Sequence, residues 1–158
     1  MAWGSRASSM RRLCIPVLAV ILLTSTACSI PRWPVEGPLT SPFGFRWRAF
    51  LPEIHRGVDL RAPEGTPVRA MARAQVRFSG TMRGFGNVVW LDHGRELLTV
   101  YAHLSEIHVQ TGAHVRGGEV IGLSGMTGSA TAPHLHFEVW RRGRPVDPVP
   151  LLGGHPRP

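Results

Sequence analysis

Lysine is absent from this 158-residue chain, and all 18 basic residues are arginine. Cysteine is nearly absent too: Cys14 and Cys28 are the only two, both within the first 28 residues. The stretch that follows can therefore build no disulfide, and no thiolate can hold a metal there. Any metal must rely on histidine and carboxylate. Acidic residues number only ten, which leaves a formal charge of +8. Three arginines (Arg6, Arg11 and Arg12) lie in the N-terminal segment, which carries no acids, and the rest are scattered apart from a knot at Arg141, Arg142 and Arg144. A moderately positive surface favours polyanions without choosing among them. No basic stripe or aromatic platform accompanies the charge, so no nucleic-acid partner is expected.

Helical periodicity is also missing. Outside the N-terminus, no long stretch shows apolar residues at i, i+3, i+4 and i+7. Glycine (18) and proline (14) are spread along the chain rather than clustered. That spacing suits many short strands joined by turns. Candidate strands are 74–79, 87–92, 97–103, 119–124 and 135–141, each rich in β-branched, aromatic or aliphatic residues. The expected fold is all-β: one compact antiparallel domain, either a flattened barrel or a sandwich.

The one long apolar run, residues 13–23, is too short to span a bilayer comfortably. It follows Arg11 and Arg12 and precedes the small residues Ser25-Thr26-Ala27, so residues 1–28 read as an export signal. Ordinary signal cleavage and a lipobox ending at Cys28 both fit, and the lipobox is the preferred reading. A lipid on Cys28 would tether the protein without making it span the membrane. The expected organisation is a signal over 1–28, a proline-punctuated lead-in over 29–38, a domain over 39–152 and a tail over 153–158.

The eight histidines carry the chemical signal through their neighbours. In Pro133-His134-Leu135-His136-Phe137-Glu138-Val139-Trp140, strand alternation puts His134, His136, Glu138 and Trp140 on one face. Leu135, Phe137 and Val139 then face the core. Two imidazoles about 7 Å apart along a strand suit one metal ligand and one neighbour better than two ligands. In His55-Arg56-Gly57-Val58-Asp59, glycine and nearby prolines argue against helix, and a loop entering a strand would let imidazole and carboxylate converge. That pair is a suitable zinc set. In Tyr101-Ala102-His103-Leu104, alternation puts Tyr101 and His103 on one face and Val100, Ala102 and Leu104 on the other. Each context alone has a plain structural explanation.

Taken together they closely resemble the lysostaphin/LytM-type zinc endopeptidases, which hydrolyse peptidoglycan and share a duplicated-hybrid-motif fold. The similarity runs over about residues 34–149. It includes Thr40-Ser41-Pro42-Phe43-Gly44-Phe45-Arg46, Ala62-Pro63-Glu64-Gly65-Thr66-Pro67-Val68, Gly84-Phe85-Gly86-Asn87 and Gly118-Glu119-Val120-Ile121-Gly122. The resemblance implies that His55, Asp59 and His136 bind one zinc ion and that His103 and His134 form the catalytic pair. It leaves His93, His108, His114 and His155 to structure or solvent. Some members place a tyrosine about six residues before the first ligand, where this chain has Ala49 and Phe50. The implied activity is zinc-dependent cleavage of peptidoglycan cross-links or stem peptides by an exported, envelope-located monomer. The alternative is a wall-binding or amidase-activating protein of the same fold without catalysis.

Overall fold

A computed structural model of the chain describes residue 1, residues 31–48 and residues 50–156. The expected export signal beyond Met1, with Cys28, lies outside the described residues. Among those described, no helix is long and apolar enough to cross a membrane. The elements in chain order are β1 (Leu39–Ser41), β2 (Gly44–Arg48), β3 (Leu51–His55), β4 (Val58–Arg61), β5 (Pro67–Arg69), β6 (Ala74–Met82) and β7 (Gly86–Asp92). They continue as β8 (Leu97–Ile107), β9 (His114–Val115), β10 (Val120–Ser124), β11 (His134–Arg141), β12 (Arg144–Val146) and the short helix α1 (Pro148–Leu151).

The architecture is all-β, as expected, and every strand pairing is antiparallel. The main sheet runs β1-β4-β11-β8-β7-β6-β9, with β10 joining β5 to β8 and β12 lying beside β11. Strands β2 and β3 form a separate two-stranded sheet. The five expected strands appear as β6, β7, β8, β10 and β11, with β8 continuing four residues past its expected end. The shorter strands were not legible in the pattern. Three of them carry a proline (Pro52 in β3, Pro67 in β5, Pro145 in β12), and each lies at an edge where a missing N–H is tolerated.

The main core gathers Val58, Leu60, Val76, Leu91, Tyr101, Leu104, Leu135 and Phe137, with Val68 and Ile121 from the β5–β10 branch. Leu135, Phe137 and Val139 enter it together, so β11 follows the expected alternation. Part of the lead-in packs here as well. Trp33 meets Phe137 edge-on with centroids 6.3 Å apart, and its Nε1–H donates to the Gly154 carbonyl at 3.1 Å. A smaller cluster of Val88, Val100 and Ala102 lies under Phe85, Trp90 and Trp140.

Candidate metal centre

The groove is floored by β4, β11 and β8, which lie side by side in the main sheet. His55 ends β3 and Asp59 sits in β4, where it pairs with His136 of β11. Between the two, Gly57 permits the close approach. A Cβ there would collide with the Phe137 carbonyl and stand 2.8 Å from Glu138 Cγ. Any side chain at 57 would push this segment off β11.

His103 arrives differently. Simple alternation would put it beside Tyr101, and the structure corrects that expectation. Tyr101 and Leu104 share the main core while Val100 and Ala102 belong to the other cluster, so the alternation slips by one residue between them. The cause is a bulge. Asn87 pairs with Leu104 and Val89 with Tyr101, giving β8 one residue more than β7 over this interval. His103 takes up the extra residue at φ 63°, with its N–H donating to the Phe85 carbonyl at 2.8 Å. The ring thereby joins the His136 side of the sheet, with its centroid 4.8 Å from that of His134 and 5.8 Å from that of His136.

All five residues singled out in the sequence thus border one groove. His55 Nε2, His136 Nδ1 and Asp59 Oδ1 stand 2.9–3.2 Å from one another. Ligands about 2.1 Å from one tetrahedral zinc would stand about 3.4 Å apart. The cradle is close to that size.

Oxygen acceptors set the imidazole protons. His55 Nδ1–H donates to the Pro42 carbonyl at 2.8 Å, and His136 Nε2–H donates to Glu138 Oε1 at 3.0 Å. His103 Nδ1–H donates to the Thr127 carbonyl and His134 Nδ1–H to the Ala132 carbonyl, each at 2.8 Å. A carbonyl or carboxylate can only accept, so the remaining nitrogen of each neutral ring presents a lone pair. The Thr127 segment is held by Asn87 N–H, which donates to Thr127 Oγ1 at 3.0 Å. Its close seat against β7 requires glycine at position 86, where a Cβ would strike Thr127 Oγ1.

The charges favour a cation. Burial would raise the Asp59 carboxyl, but its contacts with the His136 and His55 ring nitrogens outweigh that and hold the group well below the usual range. Burial would lower His136, yet its bonds to Asp59 and Glu138 push the imidazole up to about 9. A site that binds a proton so firmly between carboxylates also suits a dication, which would replace that proton. His103 goes the other way. Burial chiefly lowers it to about 4, partly opposed by its bond to the Thr127 carbonyl and aided by His134 and His136.

The sequence reading did not single out Arg46 or assign Glu138 a role. Arg46 Nη1 donates to Asp59 Oδ2 at 3.1 Å and to Ser41 Oγ at 2.6 Å, which leaves Asp59 Oδ1 for the cradle. An arginine thirteen residues before the carboxylate of β4 has no periodic signature, and only the β2–β3 hairpin brings it near. Phe50, one of the residues standing where some members of the family carry tyrosine, is 96% exposed and has no hydroxyl. His93 bonds the Arg73 carbonyl and Thr99, while His108 bonds Glu106 and His114 and His155 are exposed. None of these four reaches the groove.

Among the described residues, His55, Asp59 and His136 form the one group placed to hold a metal ion. The comparisons agree in kind. Over 113 residues the chain is 48% identical to the DD-carboxypeptidase/endopeptidase Mpg of Neisseria meningitidis, a match covering 70% of this chain and 26% of that protein. Over 121 residues it is 36% identical to the murein hydrolase activator EnvC of Escherichia coli, covering 77% and 28%. A zinc-containing peptidase from Vibrio cholerae shares its fold with a TM-score of 0.71 at 33% identity, over 80% of this chain and 40% of that one. The matches to the two curated relatives thus span about a quarter of their length. Residues 53–148, which hold all five groove residues, match the model of peptidase family M23, and the chain belongs to that family.

Proposed function

We propose that the chain is a zinc-dependent endopeptidase that hydrolyses peptide cross-links or stem peptides of bacterial peptidoglycan. In this reading His55, Asp59 and His136 hold one zinc ion, and His103 and His134 act on the substrate. One observation carries it: four imidazoles and one carboxylate oxygen converge on a single groove, each fixed by a bond on its far side. The names of the relatives, a DD-carboxypeptidase/endopeptidase and a zinc-containing peptidase among them, point the same way.

Bound zinc would supply Lewis acidity toward water and the scissile carbonyl. The protein's part is proton handling and orientation. His103 is neutral at working pH and can accept a proton at Nε2, its Nδ1–H staying on the Thr127 carbonyl. His134 Nε2 lies 3.7 Å from Asp59 Oδ1, so its reactive nitrogen faces the cradle. Once that nitrogen also carries a proton, it can donate a hydrogen bond to developing negative charge or pass the proton to the leaving amine. Arg46 steadies Asp59 through its second oxygen and leaves the first free to ligate.

The envelope assignment belongs to the same proposal. Residues 1–28 export the chain, Cys28 carries the lipid that tethers it to the outer membrane, and the domain acts as a monomer.

Identity to EnvC supports a second reading, in which the domain activates another wall hydrolase without cutting. One experiment separates the two. Purified chain is loaded with zinc and incubated with defined cross-linked muropeptides, and the products are read by mass spectrometry. New stem-peptide fragments that vanish on chelation and return with zinc are expected. Stoichiometric zinc with no fragments, together with faster turnover of an added amidase, would replace the endopeptidase by the activator.

A further inference from the structure

Beside the ligand His136 lies a carboxylate that the proposed chemistry does not use. Glu138 is 3% exposed, and both of its oxygens are occupied. Oε1 accepts from His136 Nε2–H at 3.0 Å, and Oε2 accepts from Trp140 Nε1–H at 2.6 Å. The three residues follow one another on the same face of β11, so unbroken strand alternation builds the relay. Space for the carboxylate is reserved from above, since the Cβ of any residue replacing Gly57 would press on Glu138 Cγ. Burying a carboxylate carries a desolvation cost, which apolar side chains of similar volume would avoid.

The chemistry of the pair indicates what the carboxylate does. Ionised glutamate only accepts hydrogen bonds, so the ring proton of neutral His136 must sit on Nε2. Nδ1 is then left with its lone pair toward His55 Nε2 and Asp59 Oδ1. We infer that Glu138 is a positioning residue that fixes His136 as an Nδ1 ligand of the metal, and that Trp140 locks Glu138 in that orientation. The inference rests on the zinc-site reading above.

The test exploits a mismatch in donor count. Glu138→Gln keeps the volume but offers one accepting oxygen to two donors. The Trp140 indole can only donate, whereas an imidazole can move its proton. His136 therefore yields, accepts from the new amide N–H, and carries its proton on Nδ1, where it blocks ligation. Adding Trp140→Phe removes the competing donor and frees the amide oxygen for His136.

Zinc affinity is measured on the purified full chain by competition with a chromophoric chelator, with circular dichroism monitoring the fold. Glu138→Gln is expected to weaken zinc binding about 10–100-fold. Glu138→Gln with Trp140→Phe is expected to recover most of that loss, and Trp140→Phe alone to stay near wild type. A merely structural carboxylate would not show this recovery, because the double variant removes one more buried contact. Unchanged affinity in Glu138→Gln overturns the inference, as does a double variant no tighter than the single. Wild-type chain that holds zinc in either case leaves the metal reading standing. Wild-type chain that holds no zinc sinks both.

Discussion

Strands β11 and β8 pair along six positions and deliver histidines to one groove by opposite means. β11 keeps strict alternation: Leu135, Phe137 and Val139 go to the core while His134, His136 and Glu138 face the groove. β8 breaks alternation at His103, which sits at φ 63° in a bulge and changes sides. The strand carrying the proposed ligand His136 is regular, and the strand carrying His103 is strained. Left-handed backbone costs a non-glycine residue about 1–2 kcal/mol. Such strain persists where the surroundings over-determine it, which here means the Phe85 and Thr127 carbonyls gripping His103 at both ends.

Removal of a proposed ligand breaks the comparison most severely. Asp59→Ala or His136→Ala should abolish both turnover and retained zinc, read by metal analysis after dialysis and by muropeptide digestion. His103→Ala should separate the two strands' roles. Its zinc content should match wild type while kcat falls about 10²–10⁴-fold. Full activity in that variant would overturn the role given to the bulged strand.

Smaller effects sharpen the packing side. Gly57→Ala should destabilise the fold by about 1–3 kcal/mol, because the added methyl meets the Phe137 backbone carbonyl, which has no room to retreat. Denaturant unfolding measures it, and a midpoint equal to wild type would mean that β4 does not need so close a seat on β11. His103→Gly should be more stable than His103→Ala by about 1 kcal/mol, since glycine adopts positive φ without the Cβ clash. Equal midpoints would remove strain from the account of β8.

Much of this was legible beforehand, for reasons specific to each element. β11 could be read because polar and apolar residues alternate without a break over residues 134–139. The meeting of His55 with Asp59 could be expected because Gly57 and nearby prolines rule out a helix between them. β1–β5 were not legible, being only three to five residues long, with proline in two of them. The bulge left no mark, because nothing in Tyr101-Ala102-His103-Leu104 distinguishes a strand that alternates from one that slips. Its cause lies in β7 and in the Thr127 segment seated against Gly86.

Sequence alone determined the chemistry available here: no cysteine beyond residue 28, hence imidazole and carboxylate as the donors, in three contexts separated by tens of residues. Only the tertiary structure decided which nitrogen of each ring faces the groove. That choice depends on where the Pro42, Thr127 and Ala132 carbonyls and the Glu138 carboxylate lie, and a proton goes to the ring atom that finds an acceptor. Arg46 and Glu138 acquire their roles in the same way, through neighbours that no spacing in the chain announces.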